Sequence, residues 1–600
     1  MDTILYFDAA LLKHSFISGA THLINKHAYL DKINVFPVPD GDTGTNMAST
    51  MRFIRNRLRQ IEHTQPLSEV AHHIAEAALY GARGNSGAIL AQFFQGFSET
   101  LSGKNRLSLT HFSEAISEGA NKSYLALSEP KEGTILTVIL DFSKALEHYK
   151  TKTNNLFEGI SKSLEKAYAS LQTTKHTLKE MKRANVVDAG AQGFIYWLEG
   201  VLHYMKHQQP EVENEDQHQL AIDETYAHEI DPSTISYTYC SEFLIEGAAL
   251  HHENIRASLH HLGDSVVIAG STTKLKVHIH TNQPEDVFKH LSSHGEIIHE
   301  KIDNMRLQAK DAQTGRTRKI AILTDSACDL PNDLVEKAGI HQVPVRVHFG
   351  KEHYIDRLTL HPDSFYKKLV SHPHHPKTSQ PSPLDFERMY TLIGTHFQSA
   401  IALHVPKKYS GTYQASKRAA EKLKDTHVDV IDTRSVSVGI GLLALEASDM
   451  VENGHSHQEI VNRIHQLIKH STVAVQLSDV GYLIKGGRLP KSKGALLNLL
   501  NLKPVLTLND TGDLVKQSVA FSIKNARKKM RNFILKQAER LKNHHVGIVH
   551  ANDVHSALLL KEEIETLIHP TRIIVSDLSP ALGVHGGPGT IAIAITGDPK

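Results

Sequence analysis

A polar segment at residues 207–236 separates two parts of the chain that differ in hydrophobic periodicity. The segment is rich in Gln, Pro, Glu, Asp and His, a composition typical of linkers. Over residues 1–206, apolar side chains recur at helical spacing, which predicts an all-helical domain. After the segment, short apolar runs alternate with helical patterns, which predicts domains that contain sheets. The chain of 600 residues is therefore predicted to be multidomain, with domains of different fold class.

Charge and cysteine content restrict the classes of function. The formal net charge is +1, which gives no support for a nucleic-acid partner. Cys240 and Cys328 are far apart in sequence, so they favour a reducing compartment over a disulfide framework. The N-terminus lacks the basic start and long apolar run of a signal peptide. The sequence has no uncharged apolar run of about 18 residues, the length that a membrane span requires. We therefore expect a cytoplasmic protein.

The sequence Asp40-Gly-Asp42 directly precedes a predicted amphipathic helix. Two carboxylates this close repel each other unless a cation lies between them, and glycine permits a turn that points both at one ion. Amides at a helix N-terminus attract phosphate, and carboxylates that share a cation with phosphate are typical of Mg²⁺ sites. The pattern indicates either such a site or a solvated turn that caps the helix. The glycine-rich run over residues 81–87 also opens a helix and is either a phosphate cradle or a helix–helix turn.

Residues 237–307 show the order β-α-β-β-α-β, the split arrangement of ferredoxin-like domains. In this topology the first and third strands are antiparallel neighbours. Cys240, at the start of the first strand, is therefore expected to meet His278 and His280, at the end of the third. A thiolate and two imidazoles are typical Zn²⁺ ligands. The alternative is a polar strand face beside a small buried thiol.

A second polar linker is predicted at residues 308–318, and strands and helices alternate from residue 319 to 600, which predicts an α/β domain. One of its predicted strands is His341–Val347. Hydroxyl-rich segments lie where the carboxyl ends of strands are expected, the usual position of ligands in such sheets. Clustered hydroxyls with one Arg and one His suit a carboxylate head group.

The helical domain resembles a known family. Its segment Pro39-Asp-Gly-Asp-Thr-Gly-Thr-Asn-Met47 is similar to the metal loop of the dihydroxyacetone-kinase L-type domain, in the version found in bacterial fatty acid kinases. The resemblance implies an all-α helical barrel that binds ATP, with Asp40 and Asp42 holding two Mg²⁺ ions. Val35 stands where many relatives have a third aspartate, and the adjacent Asn34 is a candidate ligand. The residues that the resemblance places near the nucleotide are Thr43, Asn46, Asn85, Ser86, Gly87, Gly133, Thr134 and Asp188. Without the resemblance, Asp188 is equally typical of a helix N-cap.

The two later domains resemble partners of the same kinases. Residues 237–307 are similar to the middle domain of fatty acid kinases, which implies Zn²⁺ at Cys240, His278 and His280. Residues 319–600 resemble the DegV-like fatty-acid-binding family, with a lipid tail between two α/β subdomains. The residues implied to hold the acyl carboxylate are Thr378, Ser410, Arg488 and His585. The adjacent Ser379, Gly411 and Thr412 are also implied to bind the fatty acid. One departure is Val405-Pro-Lys-Lys-Tyr409, which replaces a run of small residues before Ser410.

Taken together, the resemblance implies a fatty acid kinase fused to its own carrier. The reaction would transfer phosphate from ATP to a carrier-bound fatty acid and give an acyl phosphate and ADP. The resemblance is also compatible with transient contact with a membrane surface or an acyltransferase, and with assembly into a homodimer. Two alternatives stay open: a kinase for a small molecule such as dihydroxyacetone, and a lipid-binding sensor without catalysis.

Overall fold

The structure is a computed structural model, and each of its two compact units is described separately. Unit 1 comprises residues 1–309 and unit 2 residues 310–600. The residues that the structure describes are 3–36, 41–62, 65–127, 129–212, 235–314, 319–423, 426–489 and 502–600. No helix within these ranges is both long enough and apolar enough to cross a membrane.

The first part of unit 1 is helical, as predicted. A two-residue ladder between Tyr6–Phe7 (β1) and Leu107–Ser108 (β2) is the exception, so the part is not purely helical. The helices are Ala9–Asn25 (α1), His27–Lys32 (α2), Thr43–Gln60 (α3), Leu67–Gly81 (α4), Gly84–Glu99 (α5), Leu109–Leu125 (α6), Ile135–Tyr149 (α7), Leu156–Thr177 (α8), Lys179–Ala184 (α9) and Ala189–His207 (α10).

An aromatic cluster occupies the core of these helices. Phe16 of α1, Phe93 and Phe94 of α5 and Trp197 of α10 are all buried, and their rings pack mostly edge to face. Such ring pairs add stability beyond their buried area. The cluster fixes α5, which begins at the predicted phosphate loop, against α1 and α10.

The middle domain is a four-stranded antiparallel sheet with two helices. Its elements in chain order are Tyr239–Glu246 (β3), His252–Leu259 (α11), Asp264–Gly270 (β4), Lys274–Thr281 (β5), Pro284–Ser292 (α12) and Glu296–Asn304 (β6). The sheet order is β4-β5-β3-β6. β3 and β5 are antiparallel neighbours, and Cys240 pairs with His280 while Glu242 pairs with His278.

The middle domain packs directly on the helices of unit 1. The Gly270 amide donates to Gln92 Oε1 at 2.9 Å, and Arg256 donates to the Leu125 carbonyl at 2.6 Å. Leu244 and Ala269 belong to the same buried cluster as the helical core. These contacts explain why residues 1–309 form one compact unit.

The predicted linker at 308–318 is wrong over its first half. Met305–Thr314 forms a helix (α13), and residues 315–318 lie outside the described part of the chain. The Asn304 side chain accepts the Leu307 amide at 2.9 Å and starts the helix. Ala309 is buried against Met305 and Ile235. Of the other predicted linker, residues 213–234 also lie outside the described ranges.

Unit 2 is an α/β fold with two main sheets, in agreement with the α/β prediction. A parallel sheet has the order β13-β12-β7-β8, and a mixed six-stranded sheet has the order β16-β15-β14-β19-β17-β18. A small antiparallel sheet has the order β10-β9-β11. The strands are Ile320–Asp325 (β7), Ile340–Val343 (β8), Arg346–Phe349 (β9), Glu352–Ile355 (β10), Lys377–Ser379 (β11), Ser399–His404 (β12), His427–Asp432 (β13), Thr472–Gln476 (β14), Lys503–Leu508 (β15), Leu514–Ala520 (β16), Leu541–His550 (β17), Arg572–Asp577 (β18) and Ile591–Pro599 (β19).

Helices cover the faces of these sheets and bury their apolar residues. Ile534 and Ile564 pack with Ile548 and Ile593 of the six-stranded sheet, and Phe386 packs with Leu323 of the parallel sheet. The helices of unit 2 are Asn332–Ala338 (α14), Pro362–Ser371 (α15), Pro383–His396 (α16), Thr412–Ala420 (α17), Val438–Glu452 (α18), His457–His470 (α19), Gly481–Lys485 (α20), Ile523–Ala538 (α21), Val554–Ile568 (α22) and Pro580–Gly586 (α23).

The predicted strand His341–Val347 is wrong as one element. The chain forms β8 and β9 instead, and they belong to different sheets. Pro344 lies between them. Proline lacks the amide that a continuous ladder requires, so the chain can leave one sheet at this point and join another.

Candidate functional site

The predicted metal loop leads into the N-terminus of α3. Asp40 lies outside the described residues, whereas Asp42 occupies the position just before α3. Gly41 has a φ of 68°, which favours glycine. A Cβ at Gly44 would overlap the His27 carbonyl oxygen, so glycine lets the start of α3 approach α2.

Asp31 of α2 is a carboxylate near this loop that the sequence motifs did not reveal. Its two oxygens accept the Thr45 amide at 2.9 Å and the Thr45 hydroxyl at 2.7 Å. Burial, with a contribution from the nearby Asp42 carboxylate, raises the pKa of Asp31 to about 7. Asp31 lies on a different helix from the loop, so only the packing of α2 on α3 brings it close. Asn34, the candidate third ligand, is buried but does not line the cavity described next.

A polar cavity in unit 1 brings the metal loop, the start of α5 and the middle domain together. We call it the polar cavity. Its lining residues are Asp42, Thr43, Asn46, Gly84, Asn85, Ser86, Cys240, Glu242, His278, His280, Lys301, Asp303, Met305 and Gln308. Asn85 Oδ1 is buried and has no hydrogen-bond partner among the described residues. Such an orphaned acceptor suits a ligand or a cation in the cavity.

The remaining predicted nucleotide residues lie beside this cavity rather than in its wall. Asp188 caps α10 by accepting the Ala191 amide at 2.7 Å, and it also accepts an amide hydrogen bond from Ile135 at the start of α7. Burial raises the pKa of Asp188 to about 6. A Cβ on Gly190 would lie 3.3 Å from both Asp188 Oδ1 and Ser86 Oγ. The N-termini of α5, α7 and α10 therefore lie close together.

Gly133 and Thr134 shape the start of α7. Gly133 has a φ of 81°, and Thr134 caps the helix by accepting the Leu136 amide at 3.4 Å. Gly87 lies within the first turn of α5, where a Cβ would be 2.9 Å from Thr50 Oγ1. None of these three residues lines the polar cavity.

Cys240, His278 and His280 form a compact cluster in the wall of the polar cavity. Donor atoms of all three lie within 4.8 Å of one another. Cys240 Sγ is 3.7 Å from His278 Nδ1, and the two imidazole centroids are 5.0 Å apart. Burial, then the positive charge available on His278, lowers the pKa of His280 to about 3. His278 Nε2 is buried without a hydrogen-bond partner among the described residues, which fits a ligand set that is completed by a metal.

The same sheet face carries charged residues that the sequence motifs did not reveal. Lys276 is 3.0 Å from Glu242 in a fully buried pair, and Lys301 pairs with Asp303. Burial opposes the charge on Lys301, but Asp303 and Glu242 outweigh it and raise the pKa of Lys301. Strand alternation was the available signal, because Lys276 is two residues before His278 and Glu242 is two residues after Cys240.

Unit 2 contains a largely apolar cavity between its two main sheets, which we call the apolar cavity. Its walls include aliphatic side chains from both subdomains and from the loops between them. Among them are Val345, Val405, Leu477, Leu483, Leu506 and Leu514. Val405, Pro406 and Tyr409 also line this cavity. They belong to the segment 405–409 that differs from the small residues usual in the family.

Five of the predicted fatty-acid-binding residues line the apolar cavity: Thr378, Ser410, Thr412, Arg488 and His585. Thr378 Oγ1 is 3.5 Å from His585 Nε2, and Ser410 Oγ is 2.7 Å from Thr412 Oγ1. Burial and the adjacent Arg488 lower the pKa of His585 to about 3. Arg488 donates to the carbonyls of Gly486 and Tyr409 at 2.7 and 3.3 Å, and burial lowers its pKa.

The other two predicted residues lie at an adjoining opening. Ser379 and Gly411 line it together with Lys407 and Lys408 of the segment 405–409. Ser379 Oγ is 2.7 Å from His348 Nε2, and Lys408 pairs with Asp513. The opening thus has three basic side chains, Lys407, Lys408 and Arg488, of which Lys408 is paired with a carboxylate. It shares Thr378, Ser410 and Arg488 with the apolar cavity.

Family models match three successive parts of the chain. A DAK2 domain matches residues 37–203, a FakA-like middle domain of fatty acid kinases matches residues 236–312, and the DegV family matches residues 319–598. The predicted combination of a DAK2-type domain, its middle domain and a DegV domain in one chain is thereby confirmed.

Curated relatives and solved structures match parts of this chain. An uncharacterised protein of Staphylococcus epidermidis is 33% identical over 343 residues, covering 54% of this chain and 62% of that protein. One of Staphylococcus saprophyticus is 35% identical over 314 residues, covering 51% and 56%. The chain thus spans less than two thirds of the length of these curated relatives.

Two solved DegV proteins align with the last part of the chain. One from Thermus thermophilus, described as fatty acid binding, has 30% identity and a TM-score of 0.44, covering 46% of this chain and 99% of that protein. One from Bacillus subtilis, also described as a fatty acid binding protein, has 25% identity and a TM-score of 0.44, covering 47% and 100%.

Proposed function

We propose that this chain, which joins a DAK2 domain, a FakA-like middle domain and a DegV-family domain, phosphorylates a fatty acid carboxylate with ATP. The fatty acid would be held by the chain's own DegV domain, and the products would be an acyl phosphate and ADP. The observation that carries the proposal is the apolar cavity, whose aliphatic walls end at Arg488, His585 and three hydroxyl side chains.

The chemistry of the apolar cavity favours a fatty acid. Each buried methylene contributes about 0.8 kcal/mol, so aliphatic walls suit an acyl chain. A carboxylate at the polar end would meet the Arg488 guanidinium, whose fork matches two carboxylate oxygens. Ser410 and Thr378 hydroxyls can donate to the same group. The buried His585 is neutral before binding, and a carboxylate beside it would raise its pKa.

The polar cavity suits the phosphoryl donor. Asp42 supplies a carboxylate for Mg²⁺, and Asn85 supplies a buried amide oxygen. Asp42 and Asn85 would hold Mg²⁺, which when bound would supply positive charge that offsets the charge of the ATP phosphates. The amides at the start of α5 and the Ser86 hydroxyl would orient phosphate oxygens, and the Lys301 ammonium would add positive charge at the cavity wall. Positioning and charge compensation supply most of the catalysis in such transfers.

The cluster of Cys240, His278 and His280 suits Zn²⁺, because the orphaned His278 nitrogen and the thiol match its preferred ligands. When bound, the metal would supply fixed positive charge and hold β3 against β5. These residues line the polar cavity with Asp42, so they shape the wall that faces the phosphates.

A non-catalytic sensor is the strongest alternative, and its support was the absence of a third aspartate. Asp31 is a further carboxylate near Asp42, but Thr45 donates to both of its oxygens and it does not line the polar cavity, so it does not replace the third aspartate. The second alternative, a kinase for a small polyol, gives the apolar cavity of unit 2 no ligand.

The test is ATP-dependent acyl phosphate formation by the full-length protein, trapped with hydroxylamine, for palmitate, oleate and a panel of soluble polyols. We expect product with a fatty acid, and a loss of several orders of magnitude in Asp42→Asn with fatty acid binding unchanged. Asp286→Asn removes a surface carboxylate of unit 1 whose side chain is 48% exposed and should leave turnover intact. Near-normal turnover in Asp42→Asn, or phosphorylation of polyols alone, would sink the proposal.

A further inference from the structure

Unit 2 contains a second group of metal-binding side chains, separate from the apolar cavity. His427 and Asp429 lie two residues apart on β13, so their side chains share one face of the strand. His457 is the first residue of α19. Donor atoms of the three side chains lie within 4.8 Å of one another.

The two histidines direct the same kind of atom at one carboxylate oxygen. His457 Nε2 lies 2.9 Å and His427 Nε2 lies 3.3 Å from Asp429 Oδ2. The two ring centroids are 5.0 Å apart. Two ring nitrogens and one oxygen therefore converge from a strand and a helix end.

A hydrogen bond from a neighbouring strand orients one of these rings. His457 Nδ1 is 2.8 Å from Ser399 Oγ at the first position of β12. Metal-binding histidines commonly hold their second nitrogen in this way, which fixes the ring and leaves the other nitrogen for the metal. Ser399 pairs with His427 in the sheet, so the orienting group and two ligands lie on adjacent strands.

We propose that His427, Asp429 and His457 bind a divalent transition-metal ion. Two imidazoles and one carboxylate are a borderline ligand set that suits Zn²⁺, with water in the remaining coordination position. His427 and Asp429 have side chains that are 67% and 40% exposed, so an ion can enter from solvent. The ion would join the start of α19 to β13, while Ser399 of β12 orients His457.

The site lies away from the carboxylate-binding residues. Ser399 begins β12, whereas Val405 of the apolar cavity follows its last residue. A strand rises about 3.3 Å per residue, so six residues separate the two by about 20 Å. The proposed ion therefore stabilises unit 2 without contacting the lipid head group.

The experiment uses the full-length protein with Cys240→Ser and His278→Ala, which removes the cluster of unit 1. After treatment with a chelator and titration with Zn²⁺, we expect about one tightly bound ion per chain and a rise in melting temperature, because a ligand that binds only the folded state stabilises it. Co²⁺ should give a spectrum without the thiolate charge-transfer band. His427→Ala and Asp429→Asn should each weaken binding at least tenfold.

His455→Ala is the matched control, because His455 is exposed, lies two residues before His457 and is not part of the cluster. It should bind Zn²⁺ as the parent does. His427→Ala changes a largely exposed side chain, so a loss of binding with unchanged metal-free melting temperature separates a ligand from a folding defect. The proposal is overturned if the parent binds no ion, if both ligand variants bind as the parent does, or if the control loses binding equally.

Discussion

Glu242 connects the middle domain to the proposed nucleotide loop through a single side chain. Glu242 Oε1 accepts the Gly84 amide at 2.6 Å, and Oε2 is 3.0 Å from Lys276 Nζ. The side chain is only 2% exposed. Burial alone would raise its pKa, but Lys276 and then His278 hold the pKa of Glu242 well below its usual range. A carboxylate of the middle domain thus holds Gly84, the first residue of α5, in the wall of the polar cavity.

We expect Glu242→Gln to affect both stability and nucleotide use. The change leaves the buried Lys276 without its counter-charge, and breaking a buried ion pair costs about 3–5 kcal/mol. A looser Gly84 should raise the KM for ATP more than it lowers kcat. Urea unfolding followed by Trp197 fluorescence, together with steady-state kinetics, measures the two effects.

The control for this change is Glu246→Gln, on the same strand. Its side chain is 45% exposed and pairs with Lys274 at 2.7 Å. Exposed pairs contribute little, so this variant should behave as the wild type. Equal effects of both substitutions would contradict the role given to Glu242.

At the scale of elements, hydrophobic spacing predicted the helices and strands whose own residues show a clear periodicity. The helical character of residues 1–206 was predicted because apolar side chains recur there at helical spacing. β8 and β9 were merged because an apolar run does not reveal which sheet each half joins. α13 was missed because its polar face resembles a linker, and its packed side is marked by the burial of Met305 and Ala309.

The residues of the candidate sites likewise fall into those that sequence motifs reveal and those that only tertiary packing brings to the site. Asn85, in the first turn of α5, and Arg488, in the turn after α20, could be placed from sequence because each belongs to a recognisable motif. Asp31 and Glu242 could not, because their proximity to those loops depends on how α2 packs on α3 and how the middle domain packs on α5. Such tertiary contacts have no local signature.

Asp356 joins three elements of unit 2 through one buried carboxyl group. It accepts the Ser326 hydroxyl at 2.6 Å and the Ala581 amide in the first turn of α23 at 2.9 Å. Burial raises the pKa of Asp356 to about 7. Burial likewise raises the pKa of the nearby Asp329 to about 6.

These shifts predict that Asp356 and Asp329 stabilise unit 2 less as pH rises, opposite in sign to His585, whose lowered pKa favours the folded state as pH rises. The unfolded chain releases the Asp356 proton near pH 4, whereas the folded chain holds it until about pH 7. The folded state therefore binds one more proton at this group between these values, and the contribution of Asp356 to the free energy of unfolding falls with rising pH by up to about 1.4 kcal/mol per unit. Asp356→Asn should reduce this slope, with Asp329 supplying the remainder below about pH 6.

Circular dichroism follows both units, whereas the single tryptophan, Trp197, lies in unit 1. The change in slope should therefore appear in circular dichroism during urea unfolding and not in tryptophan fluorescence. Asp363→Asn, which alters a carboxylate in the first turn of α15, should keep the wild-type slope. An unchanged slope in Asp356→Asn would show that this carboxyl group is ionised in the folded protein.

At the scale of the whole molecule, the two proposed half-sites belong to different units of one chain. Asp42 lies in unit 1 and Arg488 in unit 2. Covalent linkage of two binding modules gives effective concentrations on the order of millimolar when the linker can span the sites. The proposed kinase should therefore act on the fatty acid of its own chain in preference to one carried by another chain.

Mixing two defective full-length chains tests this preference. One chain carries Asp42→Asn and retains the lipid site, and the other carries Arg488→Met with Ser410→Ala and retains the phosphoryl site. Each lost hydrogen bond to the carboxylate is worth about 1.5–3 kcal/mol, so the second chain should bind little fatty acid at limiting concentration. At micromolar protein, we expect each chain alone and the mixture to form little acyl phosphate, while the wild-type rate per chain is independent of protein concentration. A mixture that recovers a large part of the wild-type rate, increasingly so as protein concentration rises, would show that the lipid unit serves other chains and that its fusion to the kinase has a different purpose.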